Sequence, residues 1–101
     1  MRSRYSAYAL GLADYIIATT HPTNPQAVKD IKAWKQQITD FSLKTKFQNL
    51  EILAEEEKTP IAFVTFKATL IQGSQDASFT ETSEFELWQG KWTYKKYLQF
   101  N

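Results

Sequence analysis

The hydrophobic period of this chain changes once, at Phe41, and that change sets the fold class. Before Phe41 the apolar residues recur at helical spacing. After it they alternate to the C-terminus, as strands with one buried face require. Helices followed by an antiparallel meander predict an α+β domain, with N-terminal helices packed on one face of a curved four-stranded antiparallel sheet. A chain of 101 residues has room for one such core, so 1–101 reads as a single domain.

In the helical half, Tyr5, Tyr8, Leu12, Tyr15 and Ile16 share one side of a helical wheel, and Ser3, Ser6 and Asp14 lie opposite. Gly11 interrupts this stripe, and glycine is both a poor interior helix residue and a common terminator. One long helix and two short helices meeting near Gly11 both satisfy the pattern. The run from Thr19 to Pro25 then breaks it. Asn24 is placed to cap, and Pro25 suits a first helical position because its missing N–H has no partner there. A second helical region is predicted from Pro25, with Val28, Ile31, Trp34, Ile38 and Phe41 inward and Lys29, Lys32, Lys35 and Gln36 in water.

The alternating half divides at its turn residues. A first strand runs from about Thr45 to Glu57 and ends at Lys58-Thr59-Pro60, since proline cannot donate to a ladder. The second covers Ile61 to Gln72, with Gly73-Ser74-Gln75-Asp76 as the next turn. The third covers Ala77 to Trp88, Gln89-Gly90 turns tightly, and the fourth runs from Lys91 to about Phe100.

Several function classes are argued against by what the chain contains. There is no cysteine, which removes disulfides, thiolate metal sites and cysteine nucleophiles together. The balance of 12 basic and 11 acidic residues, net +1, gives no general pull toward nucleic acid or anionic lipid. Neither a phosphate-cradling glycine loop, a G-x-S-x-G elbow, an H-E-x-x-H motif nor a carboxylate-rich metal loop occurs, so neither a metal nor a cofactor is expected. Arg2 and Arg4 precede an apolar stretch, but Ser6, Gly11, Asp14 and the tyrosines interrupt the greasy run a signal peptide needs. No stretch approaches the roughly 18 apolar residues of a membrane span. A soluble, cytoplasmic protein is the expectation.

The third strand holds a local conflict that points to a site. Phe79, Glu81, Ser83, Phe85 and Leu87 share one face at period two, which sets a carboxylate and a hydroxyl in an apolar row. An unpaired ion in a core costs several kcal/mol, so Glu81 must meet a cation, carry a raised pKa or open to water. Arg4 is the preferred partner, because Arg4, Tyr8, Gly11 and Tyr15 form a narrow helical stripe; Arg2 is the alternative. A structural Arg4–Glu81 link and a ligand pocket remain rival readings. Tyr5, Tyr8, Tyr15, Trp34 and Phe63 either pack the core or line such a cavity. His21, the sole histidine, reads as a hydrogen-bonding loop residue, and Asp14 as a solvated one. Trp88, Trp92, Tyr94 and Tyr97 flank the last hairpin, where alternate rings must face opposite sides and some therefore suit a partner surface. Lys91, Lys95 and Lys96 interleave with them, though without a nucleic-acid recognition motif.

Residues Met1 to Pro22 resemble the opening of the middle domain of YchJ-like proteins: M-R-S-R-Y-S-A-Y, then Gly11, Asp14-Tyr15 and His21-Pro22. The likeness continues through Ile31, Trp34, Phe63-Val64-Thr65-Phe66, Glu81-Thr82-Ser83-Glu84-Phe85 and Gly90-Lys91-Trp92-Thr93-Tyr94. It implies a nuclear transport factor 2-like cone, in which helices close over a strongly bent antiparallel sheet. Such cones often hold a cavity and serve isomerases, hydrolases and cyclases as well as non-catalytic modules, so fold does not choose among them. Two departures stand out. Family members carry Cys-rich SEC-C-like metal-binding segments outside this domain, whereas this chain has no cysteine. The family's third strand also resembles H-x-E-R-S, whereas here Glu81 and Ser83 match without the histidine and arginine. Met1 aligns to an internal methionine of the family pattern, which fits a single-domain form, a trimmed form or a misassigned start of a longer Cys-containing protein.

Two functions follow as expectations. A non-catalytic binding or interaction module would take a protein or small molecule, or form a homodimer through the sheet face; it predicts a filled cone with Glu81 fixed to arginine. A small-molecule enzyme would use Glu81 as acid or base, with Arg4, Tyr5, Tyr8 or Tyr15 positioning substrate and Ser83 in the pocket. It predicts an open cavity with Glu81 reachable and shifted in pKa.

Overall fold

A computed structural model describes residues 2–28 and 30–100, without the side chains of Val28 and Phe100. Three α-helices precede the sheet: α1 (Arg2–Leu10), α2 (Ala13–Ala18) and α3 (Ile31–Lys44). The strands are β1 (Thr45–Lys58), β2 (Ile61–Gln72), β3 (Gln75–Asp76), β4 (Phe79–Trp88) and β5 (Lys91–Phe100). None of the described helices is long and apolar enough to cross a membrane.

The N-terminal stripe is two helices, and Gly11 ends the first. At φ +71° it takes the left-handed conformation, its N–H bonds the Tyr8 carbonyl (3.2 Å) and the Leu12 N–H bonds the Ala7 carbonyl (2.8 Å). These two bonds form a Schellman motif, which satisfies the last carbonyls of α1. An alanine at Gly11 would hold an L-residue in this conformation and set its Cβ 3.3 Å from Ser42 Oγ. Gly11→Ala is therefore expected to lose about 1–2 kcal/mol and lower the thermal midpoint by about 5–10 °C; an unchanged melting curve would contradict this account of the turn.

The reversal also rotates α2 away from the wheel drawn through α1. Ile16 is fully buried, but Leu12 and Tyr15 of the predicted stripe face solvent. The second helical region is likewise divided. Asn24 does cap, accepting from the Gln26 N–H (2.9 Å), but the turn it starts is a 3-10 helix, Pro25–Val28. Asp30 then caps α3 through the Lys32 N–H (2.9 Å). Trp34 and Ile38 point inward as predicted, whereas Ile31, the first residue of α3, is exposed; Lys29 lies outside the described residues.

The sheet has five strands rather than four, in the order β1-β2-β4-β5 with β3 paired to β2. The turn after β2 is tighter than predicted, so Gln75 and Asp76 return to pair with Gln72 and Ile71. The Ser78 hydroxyl then accepts the Leu70 N–H (3.0 Å) where a ladder bond would stand, and β4 begins at Phe79 instead of Ala77. Shifts of register interrupt β1–β2 at Phe47/Asn49 and Ile52/Ala54, and β4–β5 at Thr82/Ser83 and Glu84/Phe85. Such bulges bend strands, and here they accompany the curved sheet of the cone.

Two apolar clusters face each other. Val64, Phe66, Ala68, Leu70 and Phe85 rise from the sheet, and Ala7, Ile16, Trp34 and Ile38 descend from the helices. Burying each large side chain contributes about 1.5–3 kcal/mol.

Candidate functional site

Between those clusters the cone is open. A cavity of about 350 Å³ is walled by Trp34, Ile38 and Phe41 of α3, Phe47 of β1, Phe66, Ala68 and Leu70 of β2, and Phe79 of β4. Arg4, Tyr8, Glu81 and Tyr94 supply its polar groups. Gln26 and Gln37 line it as well and are solvent-exposed, which sets the mouth between the 3-10 turn and α3. The volume falls within the range of small-molecule sites, as does an apolar wall with a few converging polar groups.

Arg4 is buried and anchored through one nitrogen. Its Nη1 donates to the Ile16 carbonyl (3.2 Å), the Thr19 carbonyl (3.0 Å) and Thr19 Oγ1 (2.8 Å), and reaches Thr20 Oγ1 at 3.4 Å. A cation at the last carbonyls of α2 complements groups that have no intrahelical partner. The guanidinium carbon lies 5.0 Å from the centre of the Tyr94 ring, an added cation–π contact. Burial lowers the Arg4 pKa, and the surrounding tyrosines and Glu81 oppose that shift.

Glu81 sits across the same ring. Ser83 Oγ and the Tyr94 hydroxyl (3.1 Å) both donate to its Oε2. Burial pushes the carboxyl above its ordinary range, while the Ser83 and Tyr94 hydrogen bonds and the Arg4 charge pull the other way. Burial also raises the Tyr8 and Tyr94 phenols, and the Glu81 charge raises Tyr94 further. Arg4 and Glu81 form no direct ion pair, contrary to the expected link; Tyr94 connects them, offering its ring to one and its hydroxyl to the other.

The remaining predicted residues separate clearly. Tyr5 lines the cavity edge-on to Phe47 (centroids 5.4 Å apart), and its buried hydroxyl meets the Asn49 backbone without hydrogen-bond geometry. Tyr8 packs edge-on to Phe41, and Trp34 forms wall. Ser83 is fully buried and holds Glu81 without lining the cavity. Tyr15 is outside, donating to Ser3 Oγ (2.8 Å) on the surface. Arg2 is exposed, and Asp14 pairs with Lys35 in solvent (2.7 Å). Phe63 belongs to a separate open hollow with Glu55, Glu56, Glu57 and Trp92, and Glu56 there pairs with Lys58 (3.0 Å).

His21 fastens the loop after α2 to the sheet. Its Nδ1 meets Thr23 Oγ1 (2.8 Å) and the Thr23 N–H (3.1 Å), and its Nε2 meets Glu86 Oε2 (2.7 Å). Lys95 Nζ bonds the other Glu86 oxygen (3.0 Å), and these two partners lower the Glu86 pKa, Lys95 most. Backbone bonds lock the same junction: Tyr94 N–H to the Thr19 carbonyl (2.7 Å) and His21 N–H to the Tyr94 carbonyl (2.8 Å). Lys95 is thus committed to acidic partners, which breaks the predicted aromatic–basic patch, while Trp88 and Tyr97 remain exposed.

Sequence reasoning missed Thr19 and Thr20 as anchors of Arg4 and Tyr94 as the centre of the polar group. The available signal was the pairing of adjacent threonines at a helix end with a buried arginine one helix earlier.

Residues 1–96 match the family model described as YchJ, middle NTF2-like domain. A UPF0225 protein of Chromobacterium violaceum is 38% identical over 98 residues, covering 93% of this chain and 67% of that protein. A UPF0225 protein of Enterobacter sp. (strain 638) is 33% identical over 96 residues, covering 93% and 60%. The chain thus spans about two thirds or less of the length of these curated relatives. Among solved structures, a SEC-C motif-containing protein from Rhodopseudomonas palustris superposes with a TM-score of 0.82 at 30% identity, over 100% of this chain and 76% of that one.

Proposed function

The chain belongs to the family of YchJ middle NTF2-like domains, and from that premise we propose that it is a non-catalytic binding module that takes a small, mainly apolar molecule into its cone. The observation that carries the small-molecule part of this reading is the open cavity of about 350 Å³, which runs against the filled cone expected of an interaction module and matches the open cavity expected of the enzyme. Its polar groups serve each other: Arg4 holds the end of α2, and Ser83 and Tyr94 hold Glu81. That arrangement preorganises a receptor: the Ser83 and Tyr94 hydroxyls are committed to Glu81, and those of Tyr5 and Tyr8 stand in the lining. The outer sheet face offers less to a second copy, since Thr65, Lys67, Thr69, Thr80 and Thr82 occupy it and Thr65 bonds Thr82 across strands (2.9 Å).

The test is a screen of small ring compounds by amide-resolved NMR. Binding should shift resonances of Tyr8, Trp34, Phe66, Phe79 and Glu81 together. Shifts confined to the outer face, or none from any compound, would overturn the reading.

Acid–base catalysis is the second reading, favoured by the features expected of it: the cavity is open, and Glu81 lines it with its pKa raised and without an ion pair to Arg4. The shift has a measurable sign. A carboxyl raised in the folded state contributes stability that is fully present below its unfolded value, near 4.3, and lost as pH climbs through the folded value. Urea unfolding of the wild type and Glu81→Gln across that window should show the wild type losing ground steadily as pH rises. A difference independent of pH would mean that Glu81 is not desolvated and would remove the basis for the catalytic reading.

A further inference from the structure

The polar end of the cone is specific about charge, and this inference rests on the cone being a binding site. Arg4 places its Nη1 among the α2 carbonyls and threonine hydroxyls and rests on Tyr94, so its cation is anchored at the end of α2. Glu81 receives both of its hydrogen bonds on Oε2, and no described residue donates to Oε1. Tyr8 lies beside Arg4, whose charge and hydrogen bond oppose the upward shift that burial gives its phenol, and beside Glu81; its own proton is donated to no described residue. Glu81 Oε1 therefore remains as an acceptor and the Tyr8 hydroxyl as a donor in the lining of an apolar chamber, where the Tyr5 hydroxyl is also without a partner among the described residues.

A ligand carboxylate placed there would set a second negative charge beside Glu81, against the single Arg4 charge that lines the cavity. A ligand ammonium could meet Glu81, but it has no acceptor for the Tyr8 proton and adds a second cation beside Arg4. Both add a net charge to a desolvated chamber in which Arg4 and Glu81 already balance, at a cost of several kcal/mol. A hydroxyl matches both groups at once, because it donates and accepts without charge.

We propose that the cone binds an uncharged alcohol of about one ring in size, with its hydrocarbon body against Trp34, Phe66 and Phe79. The ligand hydroxyl donates to Glu81 Oε1 and accepts from Tyr8.

Four probes of nearly equal shape test this by calorimetric or NMR titration near neutral pH: cyclohexylmethanol, methylcyclohexane, cyclohexanecarboxylate and cyclohexylmethylamine. Cyclohexylmethanol should bind at least about tenfold more tightly than each of the others, the range expected for a hydrogen bond to a charged group. Tyr8→Phe and Glu81→Gln should each weaken it about tenfold and leave methylcyclohexane unchanged. Tyr8→Phe removes one oxygen and keeps the ring, and the wild-type series decides the matter if Glu81→Gln fails to fold. Tightest binding of the carboxylate or the amine overturns the proposal, as does equal binding of the alcohol and the hydrocarbon. In those cases the cone remains a receptor of another class; if the folded protein binds none of the four, the receptor reading falls as well.

Discussion

Replacing Arg4 with methionine is expected to lower stability by on the order of 3–5 kcal/mol, a large share of what a domain of this size holds. Methionine retains most of the apolar stem, so the loss isolates the guanidinium. Without it the Ile16 and Thr19 carbonyls lose a buried donor, and Glu81 is left as a desolvated carboxylate with no compensating cation. The Tyr94 ring also loses its cation contact, and Tyr94 is the residue through which the loop after α2 is paired to β5. Arg4→Lys should recover only part of the loss, because an ammonium lacks the planar fork that rests on Tyr94 while meeting the carbonyls. Urea unfolding monitored by tryptophan fluorescence measures both. A loss below about 1 kcal/mol for Arg4→Met would mean that the buried network is not what joins helices to sheet.

The second large effect concerns the cavity itself. Ala68 is buried at its wall on β2, and a phenyl group there would occupy the space between Trp34 and Phe79. Ala68→Phe is expected to abolish ring-compound binding, by about a hundredfold or more, as a steric block of the site. Its effect on stability should be small, because added aromatic burial of about 1.5–3 kcal/mol is opposed by repacking costs of about 1–3 kcal/mol. Lys67→Ala, one residue away on the opposite face, should change neither property. Undiminished binding to a folded Ala68→Phe protein would place the ligand outside the cone.

The architecture was largely legible because periodicity depends on neighbours in sequence. The limits of β2 and β5, the break at Gly11 and the cap at Asn24 all followed from local chemistry. The errors arose where geometry is not local. A wheel drawn straight through Gly11 put Tyr15 beside Tyr8, but a residue at φ +71° redirects the chain and sends Tyr15 to the surface. Placing Glu81 on an inner face was correct, since alternation alone decides it. Its partner was not readable, because the bulges between β4 and β5 decide that Tyr94, opposite Phe85, can still reach back to Glu81. The bond from His21 to Glu86 spans 65 residues, and no local pattern announces it.

The most direct measurement of the central claim is a crystal structure determined with cyclohexylmethanol soaked into the protein. The account predicts the alcohol inside the cone, its ring between Trp34 and Phe79 and its oxygen between Tyr8 and Glu81. A cone closed by Trp34 and Tyr8 turned inward, with the alcohol absent, would contradict it.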